Sequence, residues 1–174
     1  MKKVLYVIPL TLLSCFPIAC GSGQSALSDT KRTAIANSAK AVIRAMWDAG
    51  KALDAAGVCK HFTRDPDGRF VEDGRLVPFE ALLPEYTAAY SALESGAVTP
   101  SSLEAMVLAR DSVALTAPCT FSIKTKAGVS YTGKVVLTLV VQQRNGVWQI
   151  VLSHVSHQDV PGIMAAFEQK PPEN

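Results

Sequence analysis

The chain has 174 residues, of which 48% are hydrophobic and 18% charged. That balance excludes a disordered chain, and 17 Lys and Arg against 15 Asp and Glu leave no basic excess on which to build a nucleic-acid surface. Two of the lysines, Lys2 and Lys3, fall in a leader segment, so the rest is charge-balanced and long enough for one domain with its own core, not two full-sized ones.

Lys2 and Lys3 precede an apolar run over residues 4–13 that continues loosely to Ala19. This is the charged and apolar pattern of a secretory signal. The run is shorter than the about 20 apolar residues of a membrane helix and contains Pro9 and Pro17, so residues 1–19 read as a signal peptide. Ala19-Cys20 resembles the lipobox of bacterial lipoproteins, and a flexible Gly-Ser-Gly-Gln-Ser tether follows it. Pro17 departs from the usual lipobox. Leu12-Leu13-Ser14-Cys15 fits that pattern better but would leave Phe16, Pro17 and Ile18 at the new N-terminus. The preferred lipidation site is therefore Cys20, with Cys15 as the alternative. The resemblance implies a protein held to the membrane by its lipid alone. Gly21 after the cysteine resembles outer-membrane sorting, with the protein facing the periplasm. The alternative is a soluble secreted or periplasmic protein.

Residues 20–30 read as the lipidated cysteine and a linker. Ile35, Ala39, Val42, Ile43, Met46 and Trp47 fall at helical spacing and predict a helix over 31–49. Asp54 can cap a short second helix over 55–62. Asp67-Gly68 and Asp73-Gly74 are turn signals around Arg69-Phe70-Val71, and Arg75-Leu76-Val77 follows, which predicts a small hairpin. Proline suits the first turn of a helix, so a third helix is expected from Pro84 to about residue 94, capped by Gly96. Strands are expected over 103–108, over 113–123 with its period of two, over the β-branched stretch 134–143, and over 147–157 after the Asn145-Gly146 hairpin turn. Helices followed by antiparallel strands predict an α+β fold with the helices on one face of a sheet. Cys59 and Cys119 are an even pair in an exported chain. They are compatible with a disulfide or with two buried thiols.

A set of residues also resembles the NTF2-like superfamily, and within it the SnoaL-like or DUF4440-type domains. These are Trp47-Asp48-Ala49, Asp54, Phe70 with Asp73-Gly74, Tyr131-Thr132-Gly133, Asn145-Gly146-Val147-Trp148-Gln149-Ile150-Val151, and His154-Val155-Ser156. The domain is placed at 31–160, with a C-terminal tail at 161–174. The resemblance implies a cone-shaped barrel, a curved antiparallel sheet wrapped around three N-terminal helices with a pocket inside, and homodimers through the outer sheet face. It does not imply one activity, because the fold hosts isomerases, dehydratases, binding domains and assembly domains.

The resemblance puts alternate residues of the last strand, Trp148, Ile150, Leu152, His154 and Ser156, on the concave side, where Trp47, Phe70 and Tyr131 complete a ligand pocket. His154 is then a candidate general acid/base or polar anchor, or simply a core histidine. His154 and His157 point to opposite strand faces and His61 is the only other histidine, so no metal site is expected, and no cofactor. The ketosteroid-isomerase branch needs carboxyls and a phenol facing one pocket. Asp67, Asp73, Tyr86, Tyr90 and Tyr131 are candidates, but the aspartates read more simply as turn residues and Tyr86 with Tyr90 as a helix face. Val136 and Val140 with Val151 and Val155 form an outer apolar face. It would be covered by a second copy or by the segment with Ile163, Met164, Ala166 and Phe167. The leading expectation is a non-catalytic, envelope-anchored module binding a small apolar ligand or a protein partner. The alternatives are a proton-transfer enzyme of isomerase or dehydratase type using His154, and a dimeric assembly domain. A carboxyl or phenol within hydrogen-bond reach of the histidine would favour the enzyme, and an all-apolar surround the binder.

Overall fold

The computed structural model describes residues 27–168. The expected signal peptide, Cys15, Cys20 and most of the linker lie outside the described residues. Helix α1 (Asp29–Lys51) starts two residues before the expected Lys31 because Ser28 caps it, its side chain accepting from the Lys31 N–H. Its buried face is Ala39, Ile43 and Met46. Asp54 caps α2 (Ala55–Cys59) as expected, its Oδ1 accepting from the Gly57 N–H at 2.8 Å. The helix stops short of residue 62 because the chain there joins the sheet. The Ile150 N–H donates to the His61 carbonyl and the Thr63 N–H to the Ile150 carbonyl.

Strands β1 (Arg69–Glu72) and β2 (Arg75–Val77) form the expected hairpin. Its turn residues, Asp73 at φ 46° and Gly74 at φ 81°, both need left-handed backbone. Helix α3 (Phe79–Ser91) differs from expectation. It starts after Pro78 and carries Pro84 in its interior. Pro84 faces solvent, so what the helix gives up is the one backbone bond to the Glu80 carbonyl. The expected cap, Gly96, lies instead inside an unforeseen edge strand, β3 (Leu93–Pro100). That segment has little apolar periodicity and is held by pairing with its neighbour. Strands β4 (Glu104–Ala109), β5 (Ser112–Thr125), β6 (Ser130–Arg144) and β7 (Val147–His157) follow, and helix α4 (Val160–Glu168) ends the described chain. The expected tail thus begins as a helix.

The strand order is β2-β1-β7-β6-β5-β3, with β4 also pairing to β5. All neighbours are antiparallel except β1 and β7, which run parallel. The sheet is therefore mixed where an antiparallel one was expected: the long crossover from β1 to β7 allows a parallel pair that a tight hairpin could not. The sheet is curved and unclosed and packs its inner face on the helices, giving the expected α+β architecture. Ile43 of α1 meets Leu115, Leu139, Val141 and Ile150 in the core, all but inaccessible to solvent. Cys59 and Cys119 are separate buried free thiols, so the possible disulfide is not formed.

One irregularity decides the site. In the β6–β7 ladder Val140 pairs with Leu152 but Val141 pairs with Ile150, so Val151 is an extra, bulged residue. A bulge of one residue reverses which side chains face inward beyond it. Ile150 points to the core, and after the bulge Ser153, Val155 and His157 do so, while Leu152, His154 and Ser156 face outward.

Candidate functional site

The hairpin turn carries Asp73 to the end of β7. The pairing of Glu72 with Val155 sets this register, and the Asp73 N–H donates to the Val155 carbonyl at 3.0 Å. The carboxylate then holds His157 twice. Oδ1 accepts from the His157 backbone N–H at 2.8 Å, and Oδ2 lies 2.8 Å from the ring Nδ1. Donation from Nδ1–H to this carboxylate fixes the tautomer and leaves Nε2 as the free ring nitrogen. Phe121 seats the ring from the other side, edge-on, with centroids 5.1 Å apart. Gly133 makes room for this, because a Cβ there would come within 2.7 Å of the Phe121 ring and 2.9 Å of Tyr131.

His157 borders an inner chamber of about 190 Å³. Met46, Trp47, Tyr86, Tyr90, Phe121, Val135 and Leu137 supply most of the apolar wall, and Glu72 and Lys51 supply charge. Tyr86 and Tyr90 lie side by side, one helical turn apart, with ring centroids 5.7 Å apart. Burial raises both phenols, Tyr86 well above its usual range and Tyr90 to about 12, so both stay protonated. The Trp47 indole N–H is buried without a partner among the described residues. Burial, with Asp73 and Glu85 adding to it, raises the Glu72 carboxyl despite the opposing pull of His157. The chamber thus combines an apolar body, unpaired donors and a histidine oriented by a carboxylate.

Of the residues assigned to the pocket from sequence, Trp47 lines the chamber. Phe70 is buried in the core, edge-on to Phe62. Tyr131 packs on Phe121 at the outer end and donates to the Asp159 carboxylate at 3.1 Å. Trp148 is half-buried and Ile150 is core. Leu152, His154 and Ser156 stand on the opposite face, turned outward by the bulge. Asp73, Tyr86 and Tyr90, read from sequence as a turn residue and a helix face, are at the site, whereas Asp67 is an exposed loop residue outside the chamber. His61, His154 and His157 do not converge. Among the described residues, the set able to take a metal ion is Glu72, Asp73 and His157.

No protein family matches this chain by sequence, and no curated protein does. Solved structures match it by shape. An NTF2-like superfamily protein from Salmonella enterica serovar Typhimurium LT2 superposes with a TM-score of 0.66 at 12% identity, covering 76% of this chain and 96% of that one. Hexachlorocyclohexane dehydrochlorinase from Novosphingobium barchaimii LL02 gives 0.64 at 13% identity, covering 75% and 91%. A candidate dehydratase of the NTF2-like family from Streptomyces avermitilis gives 0.63 at 14% identity, covering 72% and 97%. Identities this low establish architecture and not activity. The chain has the NTF2-like fold.

Proposed function

We propose that this protein is a proton-transfer enzyme, of isomerase or lyase type, acting on a small, largely apolar molecule. The observation that carries the reading is the His157–Asp73 pair, 2.8 Å between Nδ1 and Oδ2, at the wall of an apolar chamber. A purely binding pocket has no need of a carboxylate-oriented imidazole, whereas removal of a proton from carbon does. Nε2 of His157 takes the proton. Asp73 holds the tautomer and stabilises the imidazolium that forms. Tyr86, Tyr90 and the Trp47 indole N–H are donors for an oxygen or other acceptor on the ligand. Two structures sharing the fold are named for eliminations, a dehydrochlorinase and a candidate dehydratase, and an elimination takes a proton from carbon. The chamber volume suits a single-ring molecule, since a cavity of about 150 Å³ accepts benzene.

The test is hydrogen exchange at carbon. A panel of single-ring ketones and enones is incubated with the protein in D₂O and read by mass spectrometry. Deuterium is expected next to the carbonyl with wild type and not with His157→Gln. Binding of the panel, seen as a change in Trp47 fluorescence, without exchange on any member would contradict catalysis and support the binding module expected from sequence. That module is the second reading, favoured by the apolar chamber itself. The leader sequence supports lipidation at Cys20 and an envelope location. The exposed Val136 and Leu152 of the outer sheet face support a homodimer. Both belong to the proposal.

A further inference from the structure

Three residues face two hollows at once. Glu72, Tyr86 and His157 border the inner chamber and also an outer hollow between α3 and α4. The outer hollow is the more charged, with Asp73, Arg75 and Glu85 in its wall, and Ile163 and Met164 of α4 at its rim. Burial keeps Tyr86 protonated, so no phenolate is present to take a proton from the imidazolium. His157 has its Nδ1 occupied by Asp73. Glu72 remains. No hydrogen bond fixes its carboxyl among the described residues. One of its oxygens, an Asp73 oxygen and a His157 ring nitrogen all lie within 4.8 Å of one another. Reaching Nε2, the ring nitrogen that Asp73 leaves free, takes a rotation of the Glu72 side chain or one bridging water.

We infer that Glu72 is the proton shuttle of this site, carrying the proton that His157 removes from a substrate in the inner chamber across the wall to water in the outer hollow. The inference rests on the proton-transfer reading above. In the first step a C–H bond breaks, its electron pair stays with the substrate as an enolate, and the proton bonds to Nε2. The imidazolium then gives this proton to the Glu72 carboxylate and returns to the neutral ring, Nδ1 still donating to Asp73. The Glu72 acid passes the proton to water and is a carboxylate again, and solvent protons enter by the reverse path. Burial raises the Glu72 carboxyl above its ordinary value, which makes the hand-over less uphill. The histidine can thus exchange protons with solvent while the chamber is full.

The first test needs no turnover. Solvent exchange of the ring N–H of protonated His157 is followed by nitrogen-15 NMR in wild type, Glu72→Gln and Ala89→Phe. Ala89 borders the outer hollow and not the inner chamber, so the larger side chain blocks water on that side only. Exchange at least 10-fold slower in both variants is expected, and unchanged exchange in either overturns the shuttle. The second test uses cyclohex-3-enone in D₂O. Wild type should release cyclohex-2-enone carrying solvent deuterium. The product made by Glu72→Gln should hold at least 5-fold less, because the removed hydrogen returns to the substrate. Equal deuterium content overturns the shuttle. A wild type without turnover counts against the proton-transfer reading, and the NMR experiment then decides the shuttle alone.

Discussion

His157 Nδ1 lies 2.8 Å from Asp73 Oδ2, although 84 positions separate the two residues in sequence. The parallel pairing of β1 with β7 brings them together, and the bulge at Val151 turns the imidazole inward. Neither feature alone would suffice. Without the parallel pair the hairpin turn would not reach the strand end, and without the bulge His157 would face solvent.

Asp73→Asn tests the orientation. The amide keeps the side-chain shape and removes the charge that holds the ring. Carbon–hydrogen exchange should fall by about 10²–10⁴-fold, while the Asp73 N–H bond to Val155 keeps the hairpin in place and thermal stability close to wild type. Full exchange activity in a folded Asp73→Asn protein would show that the carboxylate does not orient the ring.

Gly133→Ala tests the seat of the ring. The added methyl would overlap the rings of Phe121 and Tyr131, and overpacking of this kind costs about 1–3 kcal/mol. Phe121→Leu in the same chain should recover part of that loss, because the overlap goes with the ring. A double-mutant cycle by urea unfolding measures it. Additive losses would mean the two positions are not in contact.

Glu72→Gln should raise the melting temperature at pH 7. Burial raises the Glu72 carboxyl from its ordinary 4.5, so the folded protein holds that proton more tightly than the unfolded chain. The stability this gives is full below about pH 4.5 and is lost as pH climbs through the raised value. Above that raised value the folded state carries a poorly solvated carboxylate, which the amide removes. The gain should shrink as pH falls below about 4.5. A lower melting temperature at pH 7 would show that the Glu72 charge is structurally compensated.

The two thiols give the alkaline limb. Burial lifts Cys119 to about 11 and also raises Cys59. Their contribution is present below the ordinary thiol value near 9 and is lost as pH rises through 11, so stability should fall over that window. Alkylation at pH 8, mapped by mass spectrometry, should leave both largely unmodified in the native protein and modify both fully after unfolding without reductant. A pair that resists alkylation when unfolded would be a disulfide.

Much of the fold was legible because local chemistry and global packing agree. Ser28 and Asp54 act as caps, and the Asp73-Gly74 and Asn145-Gly146 turns adopt the positive φ angles their sequences suit. The alternation of Val113, Leu115, Ala117, Cys119 and Phe121 is the inner face of β5. Two readings failed for tertiary reasons. Residues 93–100 carry almost no strand pattern and owe their conformation to β5. Pro84 looked like a helix start, yet its exposed position lets α3 run through it. The site was hidden by one residue: nothing in Val-Leu-Ser at 151–153 announces a bulge, and a strict period of two assigns His154 to the inside. Asp73 looked like turn chemistry and is that as well.

The two histidines of β7 provide the most direct measurement. Deuterium uptake by single-ring ketones is compared for wild type, His154→Gln and His157→Gln under identical conditions. Uptake should be unchanged in His154→Gln and at least about 100-fold slower in His157→Gln. The reverse pattern, or equal rates in all three proteins, would contradict the account.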